Sequence, residues 1–337
     1  MRAQNSHNLE VKRILIVGAR RPEDNLLLSP AFKLIRNKYA RAEIDILAGY
    51  ESADIFRNNP WFRRCFVWNP GKNPLELLGN LRASRYELGI DFKPGFILFC
   101  LRVKHRLVFF RKNIFAETLY THESERVLKT IEPYFGRPDK ISLEFPIMES
   151  SKEHARKILR ENKIGGSDTL VVINPASPLP KNWSIENFAH VCNALIEEYD
   201  ARILVIKTGG SSITADKFQN LLLKKDRTVV LDGKMGIAEH VALFANADLV
   251  ISADPLTILL ACSVGSAVIG LYGPINPYRF GPIGGKNIIE HSKMPCFPCR
   301  KFHRCRKNFE CLDRIEPEQV LSDARLVLDE EKQLFLF

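Results

Sequence analysis

The chain alternates short aliphatic runs with amphipathic stretches of helical spacing, and it does so twice. VKRILIV (residues 11–17) reads as a strand, LLLSPAFKLIRNKYA (26–40) carries Leu27, Phe32, Leu34 and Ile35 at helical spacing, and AEIDILAG (42–49) is again strand-like. LGIDF (88–92) and HRLVFF (105–110) continue the alternation. From about residue 169 the pattern restarts. TLVVINP, ARILVIKTGG, RTVVLDG, DLVISAD and AVIGLYGP read as strands, with ENFAHVCNALIEEYD, EHVALFANA and TILLACSVGS as the helices among them. Strands joined through helices run parallel and are covered on both faces, which predicts an α/β chain of two Rossmann-like, doubly wound domains.

A helix from about Ser151 and a Gly-Gly-Ser turn at 165–167 place the boundary within 145–168, and we assign 1–160 and 161–337 to the two domains. Residues 316–330, opening at Pro317, form a last helix that can pack on either. Such sheets bind ligands outside the carboxyl ends of their strands, so the site is expected in a cleft that the two domains face. No apolar run approaches the roughly 20 residues of a bilayer span, and MRAQNSHNLE lacks a signal-peptide core, so a cytoplasmic protein is expected.

Charge separates the halves. Residues 1–160 hold 29 Lys/Arg against 18 Asp/Glu, whereas 161–337 hold 20 against 21. A basic first half suits an anionic partner, namely nucleic acid, a phosphorylated small molecule or an anionic membrane surface, or is simply a solvated face.

The first strand runs into GARRPEDNLLLSP (18–30), which has no glycine-rich turn to cradle a diphosphate. Asp24 lies at the carboxyl end of that strand, where a carboxylate takes a proton from an acceptor hydroxyl or caps a helix. Arg20 and Arg21 favour its ionised form. In NPASPLPKNWSIENF (174–188), Lys181 sits among prolines beside Trp183, a restrained setting in which it either stabilises a phosphate leaving group or is a solvent-exposed loop lysine, and Ser184 opens a helix as its cap. DLVISADPLTILLACSVGS (248–266) joins a strand to a helix through Asp254-Pro255-Leu256-Thr257; its first N–H groups and the Thr257 hydroxyl suit an anion.

Cys65, Cys100, Cys192 and Cys262 stand singly in apolar surroundings, as small core residues do. Cys296, Cys299, Cys305 and Cys311 cluster around His303 in MPCFPCRKFHRCRKNFECL. Their spacing is not that of a two-knuckle zinc ribbon; it is compatible with a structural zinc or iron, with reduced thiols or with disulfides.

These pieces together resemble glycosyltransferase family 9, the ADP-heptose:lipopolysaccharide heptosyltransferases. Asp24 and Pro30 have the family's spacing after the first strand, and Asn174, Lys181, Trp183 and Phe188 fit its N-P-x-x-x-x-x-K-x-W-P-x-x-x-F loop, with Ser184 in place of the second proline. ADLVISAD, the helix ending at Gly265, LYGPINPYRFGP and the cysteine-containing tail follow in family order, so the resemblance spans about residues 11–328.

The resemblance implies a GT-B fold and an inverting, metal-independent transfer needing no cofactor. It implies Asp24 as base, Arg20 and Arg21 toward acceptor anions, and Asn174, Lys181, Asp254 and Thr257 toward a nucleotide-sugar donor, with ADP-heptose expected. The acceptor would be an anionic lipid-linked saccharide of lipopolysaccharide core type at the inner membrane surface, with the enzyme held there peripherally and no nucleic acid involved. Two positions depart from the pattern. Glu23 stands where the family has glycine, and Asp254-Pro255-Leu256-Thr257-Ile258-Leu259 replaces a turn of the type Asp-Ser/Thr-Gly-Pro-x-His, removing a close backbone approach and a polar contact. The alternative is a non-catalytic relative that binds a glycan or a partner enzyme.

Overall fold

The computed structural model describes residues 11–57, 59–71, 73–93, 95–109, 120–175, 182–206, 215–231, 235–299 and 305–334. They divide into two compact units, Met1–Met148 and Glu149–Phe337.

In the first unit, β1 (Arg13–Val17) is followed by α1 (Pro22–Leu27), α2 (Ser29–Lys38), β2 (Glu43–Gly49), α3 (Ala53–Phe56), β3 (Arg64–Trp68), α4 (Pro74–Ala83), β4 (Leu88–Asp91), α5 (Ile97–Cys100), β5 (His105–Val108) and α6 (Glu123–Phe135). The sheet is parallel throughout, in the order β3-β2-β1-β4-β5. Ile14, Leu15 and Ile16 have no exposed surface, as a central parallel strand covered on both faces requires. Leu15, Val17 and Leu47 pack beneath α4 and α5 on one side, and Leu128 and Ile131 of α6 pack with Ala31 of α2 elsewhere in the unit. The helix expected over 26–40 is two helices, α1 and α2, broken at Leu28; Pro30, which has no N–H to donate, sits in the first turn of α2.

The second unit opens with α7 (Glu149–Glu161) and continues through β6 (Leu170–Asn174), α8 (Ile185–Tyr199), β7 (Arg202–Ile206), α9 (Ala215–Asn220), β8 (Thr228–Leu231), α10 (Ile237–Phe244), β9 (Leu249–Ser252), α11 (Pro255–Ser263), β10 (Val268–Tyr272), α12 (Pro277–Phe280), β11 (Asn287–His291), α13 (Glu310–Asp313) and α14 (Pro317–Leu334). Its sheet is also all parallel, ordered β11-β10-β9-β6-β7-β8. The expected boundary at 160/161 moves to 148/149, because α7 lies against α10. With that boundary the first unit keeps a basic excess, 25 Lys/Arg against 16 Asp/Glu. The last helix belongs to the second unit: Val320, Leu321, Ala324, Val327 and Leu328 of α14 join the core of α8, β6, β7 and β9.

Candidate functional site

Strand order reverses between β1 and β4, so the chain leaves β1 in one direction and β4 in the other, opening a crevice at their carboxyl ends. Val17 pairs with Asp91 across that point. Two buried side chains, Asn25 and Ser52, hold the segment after Val17. Asn25 Oδ1 accepts the Ala19 N–H at 2.8 Å, and Nδ2 donates to the Ala19 carbonyl at 3.0 Å, the Arg21 carbonyl at 3.1 Å and Ser52 Oγ at 2.9 Å. Ser52 in turn donates to the Arg20 carbonyl at 2.8 Å. Glycines permit this closeness, since a Cβ at Gly18 would stand 2.6 Å from Asn25 Oδ1 and one at Gly49 would stand 2.7 Å from the Arg20 carbonyl oxygen.

On this clamped turn, Asp24 is the third residue of α1 rather than its cap, a position the helix dipole favours for an anion. Its side chain is 36% exposed and takes two hydrogen bonds from the Arg21 guanidinium, both 3.2 Å. Arg21 therefore steadies the carboxylate, while Arg20 pairs with Glu51 at 3.0 Å.

Arg20 and Asp24 line a cavity of about 250 Å³ together with Lys93, Glu123 and Arg126, over an apolar wall of Leu28, Phe92, Phe109, Val127 and Ile131. Lys93 comes from the end of β4, and Glu123 and Arg126 come from the first turn of α6, paired with each other. Three cations and two carboxylates thus converge around an opening in the basic unit. Beneath it Asp91 is fully buried, and burial pushes its carboxyl up to about 6 against hydrogen bonds from the N–H groups of Lys93 and Gly95. Lys93, Glu123 and Arg126 carry no signal in the sequence; topology brings them to the cavity that Asp24 lines.

In the second unit the order reverses between β6 and β9, and three of the expected donor-side residues meet there. Asn174 Nδ2 donates to Thr257 Oγ1 at 2.8 Å, and Asp254 Oδ2 accepts from the Thr257 N–H at 3.0 Å and from Thr257 Oγ1 at 2.7 Å. Asp254 is thereby the N-cap of α11, with Pro255 in the first turn. All three side chains are buried, at 0–2% exposure. They bond one another, joining the ends of β6 and β9 and shaping the start of α11.

Lys181 lies outside the described residues. Beyond it, Trp183 is fully buried, its indole N–H donating to the Ile315 carbonyl at 2.9 Å and its ring edge-on to Phe188 at 4.8 Å. Ser184 caps α8 as expected, accepting the Asn187 N–H.

Of the single cysteines, Cys192 and Cys262 are buried, Cys65 is half-buried, and Cys100, expected in a core, is exposed at the end of α5. Cys296, Cys299, Cys305 and Cys311 are free of disulfides. Burial pushes the Cys311 thiol up, with a further contribution from Cys305 and Cys296 nearby. Among the described residues no group of three or more His, Cys, Asp or Glu side chains is arranged to hold a metal ion, and His303 falls outside them.

Two Rossmann-like units in one chain, each with its candidate groups at the point where strand order reverses, give the GT-B fold. Residues 83–309, two thirds of the chain, match glycosyltransferase family 9 (heptosyltransferase). The chain belongs to that family.

It is 28% identical to lipopolysaccharide heptosyltransferase 3 of Escherichia coli, over 91% of this chain and 96% of that protein. Among solved structures it is similar to a family 9 glycosyltransferase of Veillonella parvula, with TM-score 0.78 and 20% identity over 97% of this chain and all of that one. ADP-heptose lps heptosyltransferase II of E. coli gives TM-score 0.74 and 16% identity, covering 95% and 99% of the two chains.

Proposed function

We propose that the protein transfers a heptose-like sugar, with inversion, from a nucleotide sugar of the ADP-heptose kind to a lipopolysaccharide core acceptor. The observation that carries this reading is Asp24, held on the Asn25-clamped turn at the mouth of a cavity rimmed by Arg20, Lys93 and Arg126 in a chain of family 9. Asp24 accepts the proton of an acceptor hydroxyl, whose oxygen attacks the anomeric carbon as the nucleoside diphosphate departs. Arg20, Lys93 and Arg126 receive the acceptor's phosphate or carboxylate groups, and Arg21 keeps Asp24 oriented. The departing diphosphate is met by Lys181 and by the backbone at the start of α11, whose side chains are engaged inward. No metal or cofactor enters the step as drawn. The acceptor is lipid-linked, so the enzyme works peripherally at the inner membrane.

Asp24→Asn is expected to lower turnover by about 10²–10⁴-fold while ADP affinity, read by calorimetry, stays at the wild-type value. Near-normal turnover in that variant would overturn Asp24 as the base. A second reading is favoured by Leu256 and Leu259, which occupy positions where the family carries a glycine and a histidine. On that reading the protein binds a glycan or partner without catalysis, and the wild-type chain gives no heat with ADP or ADP-heptose.

A further inference from the structure

We propose that Tyr50 and Trp68 form an aromatic platform for a sugar ring of the acceptor saccharide, one step along the sheet edge from the Asp24 cavity. The inference deepens the sugar-transfer reading and rests on it. Register fixes where the two residues stand. Gly49, the last residue of β2, pairs with Trp68, the last residue of β3, and Tyr50 follows Gly49 in a 3-10 turn over residues 50–52. One step along the chain and one across the ladder keep the two α-carbons within about 9 Å of each other.

Arg20 connects this pair to the cavity. The Gly49 N–H donates to the Ala19 carbonyl at 3.3 Å, and a Cβ at Gly49 would stand 2.8 Å from the Arg20 α-carbon and 3.0 Å from its Cγ. Arg20 therefore lies directly on the residue with which Trp68 pairs, and the same Arg20 lines the cavity with Asp24. Its guanidinium is paired with Glu51, and the Tyr50 hydroxyl joins that pair.

Both aromatic side chains are open to solvent, Trp68 at 43% and Tyr50 at 46% exposure. Among the described residues no other ring and no cation covers either one, whereas Phe66, two residues earlier on the same face of β3, has the Arg64 guanidinium 4.9 Å from its centroid. A pyranose offers an apolar face of C–H groups and an edge of hydroxyls. Indole and phenol rings suit the face while keeping a polar group at their rims, and the Arg20–Glu51 pair supplies donors and acceptors for the hydroxyls. A protein partner is a poorer match, since a stable interface takes about 800 Å² from each side and these two rings are bounded by the exposed charges of Arg20 and Glu51.

The test is titration calorimetry of the full chain with a deacylated lipopolysaccharide core oligosaccharide in the absence of donor, so that binding is read apart from turnover. The wild-type chain is expected to bind it, Trp68→Ala and Tyr50→Ala to bind it about five- to tenfold more weakly, and Trp68→Phe, which keeps a ring, to bind it nearly as wild type does. Saturating the protein's aromatic protons should transfer magnetisation to the sugar C–H protons, and less of it in Trp68→Ala. Both side chains stand outside the core, so the variants should melt at the wild-type temperature. Wild-type affinity in both alanine variants overturns the platform and leaves the sugar-transfer reading standing. A wild-type chain that binds no oligosaccharide overturns the acceptor reading and the platform with it. Loss of ADP affinity in the alanine variants, with the oligosaccharide bound as in wild type, overturns the platform by assigning the rings to the nucleotide.

Discussion

Asn25 shows how much of a site one buried amide can hold. Its four hydrogen bonds close the segment from Ala19 to Arg21 onto Ser52, and the carboxylate beside it inherits that rigidity. Asn25→Leu keeps the volume but strands buried N–H and carbonyl groups, each costing about 1–3 kcal/mol. The expected outcome is a lower melting temperature and a fall in kcat larger than any change in KM for the acceptor, measured by steady-state kinetics on the soluble variant. Asp24 was legible from its spacing to Pro30 after a strand. Asn25 was not, because an asparagine in a turn ordinarily serves its own backbone, and its role here depends on Ser52, contributed by a different part of the chain.

Strands β2 and β3 are joined by more than their ladder. Asp45, with no exposed surface, receives Arg63 at 2.7 Å, Arg64 at 2.8 Å and the Tyr86 hydroxyl at 2.7 Å. Burial alone pushes its carboxyl up, but the hydrogen bonds from Arg63, Arg64 and Tyr86 outweigh it and hold the group below its ordinary value. A carboxyl depressed in the folded state contributes stability that is present above the unfolded value and lost as pH falls through the folded one. Thermal melting should therefore show an acid-side loss below about pH 4 that is diminished in Asp45→Asn, and that variant should be less stable than wild type by about 2–4 kcal/mol at neutral pH. The central strands were readable as continuous aliphatic runs. Strands β3 and β11 were not, since RCFVW and NIIEH lie at sheet edges, half-buried, where the apolar pattern is diluted by polar and charged neighbours. The split of the 26–40 helix was marked by Ser29-Pro30, a sequence that starts a helix as readily as it interrupts one.

Among the described residues, each unit has core clusters of its own. The large cluster of the second unit draws only on residues between Val171 and Leu328, and the clusters beneath α4, α5 and α6 draw only on the first. Separate cores are expected to unfold in two calorimetric steps, and ADP should raise the midpoint of only the step that belongs to the second unit. A shift of both steps together would show that the units unfold as one. The repeated strand and helix pattern made this two-unit plan visible from the sequence, and the charge contrast marked which unit is basic. Which residues would share a site was less visible. Lys93 and Arg126 reach Asp24 only because the chain crosses over after β3 and again before α6, and no local motif records a crossover.

The hydrogen bond from the Trp183 indole to the Ile315 carbonyl joins positions 132 residues apart. On a ribosome adding about 5–20 residues per second, the anchor for the segment after β6 emerges roughly 7–26 seconds after the tryptophan itself. During that interval Trp183 has no carbonyl to receive its N–H, and the first unit has long since left the exit tunnel complete. A nascent chain stalled before residue 315 would carry the whole of the Asp24 cavity and an unanchored segment beyond Lys181, so the two halves of the molecule become competent at different times during synthesis.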